Sequence, residues 1–218
     1  NWMAGVYFLD ADRRFTQEQG QDLVGAILPT LTPDLPGSAN PTTNFFDTEY
    51  ATKNTAVFAN AQYRPIESFE IGRAGRFDRE KRSIHDVALS GLNPVTGVPY
   101  TNTPDQRDTR TFKEFTPKIT LTYLFKDTAS IYASYGKGFK SGGFNPFGTR
   151  QALLNAIGDP NLVFIQDSYN KETSETYEVG FKSSWADGMF DVNGAVFTTK
   201  VKGSQQFEFF PSAGLQAI

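Results

Sequence analysis

Catalysis and metal binding need groups that gather, and this sequence offers few that can. His85 is the only histidine and there is no cysteine, which removes thiolate metal sites, disulfide frameworks and most imidazole chemistry. With Ser83 and Asp86 beside it, His85 is expected in a solvated loop. Asp10-Ala11-Asp12 has the opening spacing of a calcium loop but lacks its Asn/Asp-Gly continuation and distal glutamate. Asp22, Asp34 and Asp47 are scattered and define no cluster. Glu172, Glu175 and Glu178 recur every third residue, which on a strand sends neighbours to opposite faces, so paired-carboxylate catalysis has no support. Gly136-Lys137-Gly138 lacks the GxxxxGK[ST] spacing of a phosphate loop. The residues point away from an enzyme, a metal centre or a bound cofactor.

The remaining chemistry is that of surfaces, so the elements that build them come next. The 218 residues carry 21 basic and 24 acidic side chains, a net charge of -3, with no basic stripe of the kind nucleic acid requires. No apolar run approaches the ~18 residues of a membrane-spanning helix. Mean hydropathy is -0.41, a value that a transmembrane barrel shares with soluble proteins, because its strands alternate lipid-facing and lumen-facing residues. The first residues, Asn1 to Gly5, have no basic region followed by a long apolar one, so no signal peptide is read there. Aromatic residues make up 14%, with 20 Phe and 9 Tyr, which suits strands flanked by interface girdles.

Alternation dominates the pattern. Ile119, Leu121, Tyr123 and Phe125 oppose Lys118, Thr120 and Thr122, and Tyr177, Val179 and Phe181 oppose Glu178 and Lys182. Residues 57–63, 130–139 and 190–196 repeat it, and residues 3–9 do so weakly; period two over such lengths means strands. A helical period is visible only near 151–157, inside a loop. The fold class expected is all-β and antiparallel. Tight turns are expected at Arg64-Pro65-Ile66-Glu67, Lys126-Asp127-Thr128 and Ala186-Asp187-Gly188. Between them lie polar stretches at 10–48, 80–111 and 141–171, expected as long loops. Long and short connections alternate, which collects the long ones at one end of the sheet, as in an outer-membrane barrel with short periplasmic turns and long extracellular loops. Tyr63, Tyr123, Phe125 and Trp185 sit beside the short turns, where a periplasmic girdle belongs.

Several of these segments, in order, resemble TonB-dependent receptors. Residues 130–145, SIYASYGKGFKSGGFN, are similar to that family's YASYSKGFKSGGFN strand. FTPKITLTY at 115–123 resembles the strand before it, and ETSETYEVGFKS at 172–183 the strand after it. AVFANA at 56–61 and GVYF at 5–8 extend the resemblance upstream. Residues 67–81 depart from it: Arg73 shares parity with Phe69, Ile71 and Phe77, and a lipid-facing arginine at mid-membrane costs about 2–4 kcal/mol. A β-bulge that flips the parity is the expected resolution, ahead of an interfacial position. Lys137 and Lys140, amid Gly136, Gly138, Gly142 and Gly143, are expected to reach lipid headgroups or lipopolysaccharide phosphates.

The resemblance implies a partial receptor barrel over 1–218, with about seven strands, from a family whose barrels have about 22 strands around a separate plug domain. It implies a bacterial outer-membrane location and active uptake of a scarce nutrient (a ferric siderophore, haem, cobalamin or glycan fragment) driven through the TonB complex acting on a plug absent from this sequence. No cofactor or nucleic-acid partner is implied. Phe45, Phe46, Phe144, Phe147 and Tyr169 are the candidate ligand contacts among loop aromatics; packing of the loops against one another is the competing role. A passive porin-like channel and a soluble β-sandwich binding module stay open as alternatives.

Overall fold

The computed structural model of the chain describes residues 1–20, 42–86, 106–125, 128–146, 148–210 and 215–218. Among them, seven long strands form one antiparallel sheet: β1 (Trp2–Gly20), β2 (Thr42–Ile66), β3 (Phe69–Asp86), β4 (Gln106–Phe125), β5 (Ala129–Lys140), then, after the short strands β6 (Gly143–Phe144) and β7 (Ser168–Tyr169), β8 (Glu172–Trp185) and β9 (Phe190–Lys202). Sheet order follows chain order, β1-β2-β3-β4-β5-β8-β9. A final hairpin joins β10 (Glu208–Phe210) to β11 (Leu215–Ala217).

One face of this sheet is apolar over a limited height. Val6, Val57, Phe77 and Phe115 stand in a single cross-strand row and all are exposed. Toward the short turns the same parity carries Ile119, Leu121, Tyr123 and Phe125 on β4, and Tyr177, Val179 and Phe181 on β8, again exposed. From Phe115 to Phe125 is ten residue steps, about 33 Å along a strand and about 25 Å in height at a barrel tilt near 40°. That equals the apolar band of an outer-membrane barrel. No second protein layer covers this face among the described residues. At its lower edge, Tyr123 and Phe125 meet edge to face with ring centres 4.8 Å apart.

Above the Val57–Phe77–Phe115 row the strands continue where loops are expected. β1 runs on to Gly20, β2 starts at Thr42, β3 reaches Asp86 and β4 begins at Gln106, so the described parts of the stretches 10–48 and 80–111 are extended wall. The reason is environmental: beyond the bilayer the outward face meets water and the lumen face is largely polar, so strands there lose the apolar alternation that marks them in sequence. His85 accordingly lies on β3, 22% exposed, with Nδ1 3.2 Å from the Glu49 carboxylate. Asp10 and Asp12 lie on β1 and not at a loop start, and Asp10 accepts a hydrogen bond from Lys53 at 2.9 Å.

The turns divide similarly. Met189 N–H donates to the Ala186 carbonyl at 3.1 Å, and the central Asp187 and Gly188 adopt φ 55° and 88°, the left-handed pair of a type I′ turn. The β2–β3 turn is shifted: Arg64 and Pro65 fall within β2 at an irregularity between Tyr63 and Ile66, and Glu67-Ser68 makes the turn. Lys126 and Asp127 lie outside the described residues. No bulge occurs near Arg73. β3 pairs with β4 without a shift from Phe69 to Asp86, placing Arg73 opposite Ile119 and Ala61 on the apolar face. The expected parity flip is therefore absent, and Arg73 stands midway between Phe69 and Phe77.

Residues 141–171 are also no simple loop. They fold over the opposite, lumen-facing side of the sheet as β6, the helix α1 (Thr149–Ile157), a 3-10 turn at Pro160–Leu162, and β7. The helix matches the short helical period in the sequence. The buried apolar groups Ile84, Phe112, Phe144, Leu153 and Val163 mark this segment and the wall beneath it. Gly142 makes the seating possible: a Cβ there would come 2.2 Å from the Tyr169 carbonyl oxygen and 2.6 Å from the Phe112 ring.

Candidate functional site

The lumen face carries alternating charge at its base and a cavity at its extracellular end. On β3, Arg76 donates twice to Asp78, at 2.8 and 2.7 Å, and Arg82 donates to Glu80. Asn54 of β2 donates to both carboxylates. Asp78 is 2% exposed and Glu80 8%, so these charges persist because each has a partner. Arg76 also lies over the Tyr7 ring, 4.9 Å from its centre.

Above this ladder, β1, β2, β3 and the infolded segment enclose a cavity of ≈ 290 Å³. Its walls are Arg13, Tyr50, Thr52, Arg82, Phe144 and Tyr169, among others. Alternation explains the set: Arg13 is opposite Tyr50, and Tyr50 opposite Ile84, all on the lumen parity of the extracellular strand extensions. The Arg13 guanidinium sits over the Tyr50 ring at 4.8 Å, a cation–π contact. Burial pushes the Tyr50 phenol up from its ordinary range, with Arg13 opposing and Tyr169 adding to the shift. Tyr169 reaches the cavity because β7 pairs with β6, Gly143 opposite Tyr169 and Phe144 opposite Ser168. A Cβ on Gly143 would lie 2.6 Å from the Tyr169 hydroxyl. The site thus combines a guanidinium without a carboxylate partner among the described residues (Arg13), a second guanidinium shared with Glu80, two phenols and a phenyl ring. It can bind an anion with aromatic character. Among the described residues no group of three or more His, Asp or Glu could hold a metal ion.

Beside the cavity the wall has a seam. The β4–β5 ladder ends at Lys118 opposite Gly136, next to Pro117, which has no N–H to donate. Beyond that point Lys137 Nζ donates to Glu114 at 2.7 Å, while Lys171 Nζ pairs with the same carboxylate at 2.6 Å and donates to the Lys113 carbonyl at 2.9 Å. Lys137, expected to reach headgroups, is instead a bolt across the seam. Lys140 is exposed.

Of the sequence candidates, Phe144 and Tyr169 meet at the cavity. Phe45 and Phe46 lie on β2 opposite Glu18 and Gln17, their side chains beyond what the structure describes, and Phe147 lies outside the described residues. Arg13 and Arg82 sit in stretches read as loops and Tyr50 falls between the 10–48 stretch and the alternating segment at 57–63; extending the strand alternation of β1, β2 and β3 upward places all three on the lumen face. The three acidic residues 172, 175 and 178 do not converge: Glu178 accepts from the Tyr132 hydroxyl at 2.6 Å, and Glu172 from the Gln205 amide at 2.8 Å.

The model of the TonB dependent receptor-like beta-barrel family matches residues 2–216. Among solved structures, the chain is similar to the ferric yersiniabactin uptake receptor FyuA from Yersinia pestis, with 16% identity and a TM-score of 0.63 over 94% of this chain and 26% of that one. The ferric-catecholate import receptor Fiu from E. coli K12, in its closed form, gives 15% identity and a TM-score of 0.60 over 99% of this chain and 30% of that one. The chain thus spans between a quarter and a third of the length of these receptors, and at such identities the likeness speaks for the fold. With the lipid-height apolar face, the antiparallel meander and a family match over nearly its whole length, the chain belongs to the TonB-dependent receptor-like β-barrels of the bacterial outer membrane.

Proposed function

We propose that this chain is part of the wall of a closed, plugged barrel that takes up a scarce metal chelate, energised through the TonB system. The observation that carries the reading is the cavity at the lumen's extracellular end, where Arg13, Arg82, Tyr50, Phe144 and Tyr169 converge. Cations beside aromatic faces favour an anionic, aromatic chelate of the ferric siderophore kind over a neutral glycan. Solved receptors of similar fold are described as importing ferric yersiniabactin and ferric catecholates, which agrees with that choice. The two outer edges of the seven-stranded sheet, β1 and β9, support its place in a larger barrel, since open edges are not tolerated in lipid. In this reading Phe144 and Tyr169 touch the ligand, and Phe45, Phe46 and Phe147 remain candidates from the neighbouring stretches.

The test is uptake of radiolabelled iron by a receptor-deletion strain carrying the complete receptor, with a panel of ferric siderophores, haem, cobalamin and glycans. Energy-dependent uptake of one ferric chelate, weakened at least tenfold by Tyr169→Ala with Arg13→Gln, is expected. Uptake that survives collapse of the proton-motive force would instead make the barrel a passive channel.

A further inference from the structure

The seam between β4 and β5 is a break in the wall itself. Odd-numbered residues of β4 turn their backbone groups toward β5, since the even-numbered Leu124 bonds the other way, its N–H donating to the Ser68 carbonyl at 2.8 Å. Ile119 opposite Tyr135 is therefore the last hydrogen-bonded pair of that ladder. The next in register sets Pro117 against Lys137, and proline has no N–H to give the Lys137 carbonyl. Higher still, the Phe115 N–H is taken by the Glu114 carboxylate at 3.2 Å and the Lys113 carbonyl by Lys171. Beyond this point no backbone bond joins the two strands among the described residues. The break starts inside the apolar band, one outward row below Phe115. Behind it, on the lumen side, lies an open hollow of ≈ 490 Å³ lined by Thr116, Lys137, Phe139 and Ser141 among others. Lys137 and Phe139 share the outward parity of Tyr135, so side chains rooted on the lipid side line a lumen hollow, and the break is a passage between the two.

The hollow favours a negative group. Its carboxylates, Asp78 and Glu80, are each held by an arginine, Arg76 and Arg82, and Lys137 is held by Glu114. Lys140 also lines it and has no ion pair among the described residues. The Ser141 hydroxyl, on a residue 4% exposed, has no hydrogen-bond partner there, and neither has Asn54 Oδ1; buried polar atoms normally find one. We infer that the seam is a lateral portal that binds a single-chain amphiphile from the outer leaflet, its anionic head at Lys140 and Ser141 and its alkyl chain leaving between Phe115 and Phe139 into lipid. Lys137 and Lys171, clamping Glu114 from both sides, hold the edges of the slit together. The inference rests on the outer-membrane placement and not on the chelate reading.

The experiment uses the complete receptor in phosphatidylcholine vesicles and dodecyl phosphate carrying a photoreactive diazirine beside its head. Butyl phosphate with the same group is the water-borne control. After illumination, mass spectrometry is expected to find label on Asn54 and on residues 138–141. Pro117→Val supplies the missing N–H and lets the ladder close, and about a tenfold loss of that label is expected, with the new amide protected from exchange. Lys140→Gln removes the unpaired cation, with about a fivefold loss expected. Should Pro117→Val fail to fold, judged by heat-modifiable mobility on gels, Pro117→Ala restores the same N–H and carries the test. Undiminished labelling of the closed variant, or an amide at 117 that exchanges freely, overturns the portal. So does labelling by butyl phosphate as strong as by dodecyl phosphate, because the hollow then fills from the lumen. Label confined to Arg79, Lys81 and Lys113 overturns it as well, since the head then stays at the outer surface of the wall.

Discussion

Two arginines three positions apart on β3 have opposite surroundings, and replacing them is expected to move stability in opposite directions. Arg73 stands on the apolar face between Ala61 and Ile119, four steps from Phe69 and four from Phe77. That puts it near mid-bilayer, where an arginine costs about 2–4 kcal/mol, falling toward 0–1 at the interfaces. Snorkelling of its long side chain recovers part of the cost, so Arg73→Leu is expected to stabilise the complete barrel by about 2 kcal/mol, a factor of roughly 30 in the folded-to-unfolded ratio. Arg76 faces the lumen and holds Asp78, whose side chain is 3% exposed, at 2.7 Å. Arg76→Leu strands that carboxylate and is expected to destabilise by about 3 kcal/mol. The assay is equilibrium guanidinium unfolding of the barrel in phospholipid vesicles, followed by the fluorescence of Trp2 and Trp185. Stabilisation or neutrality at both sites, or loss at both, refutes the assignment of faces; neutrality at Arg73 alone puts that residue at an interface.

Three further outcomes follow from the extracellular end. Gly142→Ala drives a methyl group into the Tyr169 carbonyl and the Phe112 ring; such overpacking costs about 1–3 kcal/mol and is expected to release residues 141–171 to protease while the barrel stays folded. Glu114→Gln removes the shared partner of Lys137 and Lys171, and because Lys171 is more than a third exposed the loss is discounted to about 2 kcal/mol, read as faster amide exchange in 137–146 and 168–172 with unchanged global unfolding. Asp47 is held below the ordinary carboxylate range by hydrogen bonds from Arg14, against the opposing effect of burial. Its folded pKa being depressed, the stabilisation is complete above the unfolded value of about 3.9 and fades as pH falls through the folded one. Amide protection near Asp47 should therefore drop below about pH 4 in wild type and show no such drop in Asp47→Asn.

How far the fold could be read from sequence depends on what each stretch touches. Where one face meets lipid and the other the lumen, as at Ile119–Thr120–Leu121–Thr122, every second residue reports its side, and strands, parity and the Ala186-Asp187 turn were legible. Above Phe77 the outward face of β3 meets water and its lumen face buries the paired carboxylates Asp78 and Glu80, so Glu80 to Asp86 reads as polar loop although it is strand. Arg73 is the reverse case: the cost of an arginine in lipid argues for a bulge, yet β3 pairs with β4 straight through it. Half of the candidate site lay in the same blind zone. Phe144 and Tyr169 were visible as loop aromatics, but their meeting with Arg13 and Tyr50 depends on a segment folding inward, which only the glycine pair 142–143 hints at.

The height of the strands has a consequence of its own. β2 has fifteen residues from Thr42 to Ala56 above its lipid-facing row, about 50 Å along the strand and nearly 40 Å of elevation at barrel tilt. Along β1 and β2 the extracellular rim is therefore a stiff parapet of laddered backbone. In the uptake role proposed above, a visitor arriving on this side would meet ordered wall well before the bilayer. Because such a rim is already ordered, gripping a guest costs little conformational entropy.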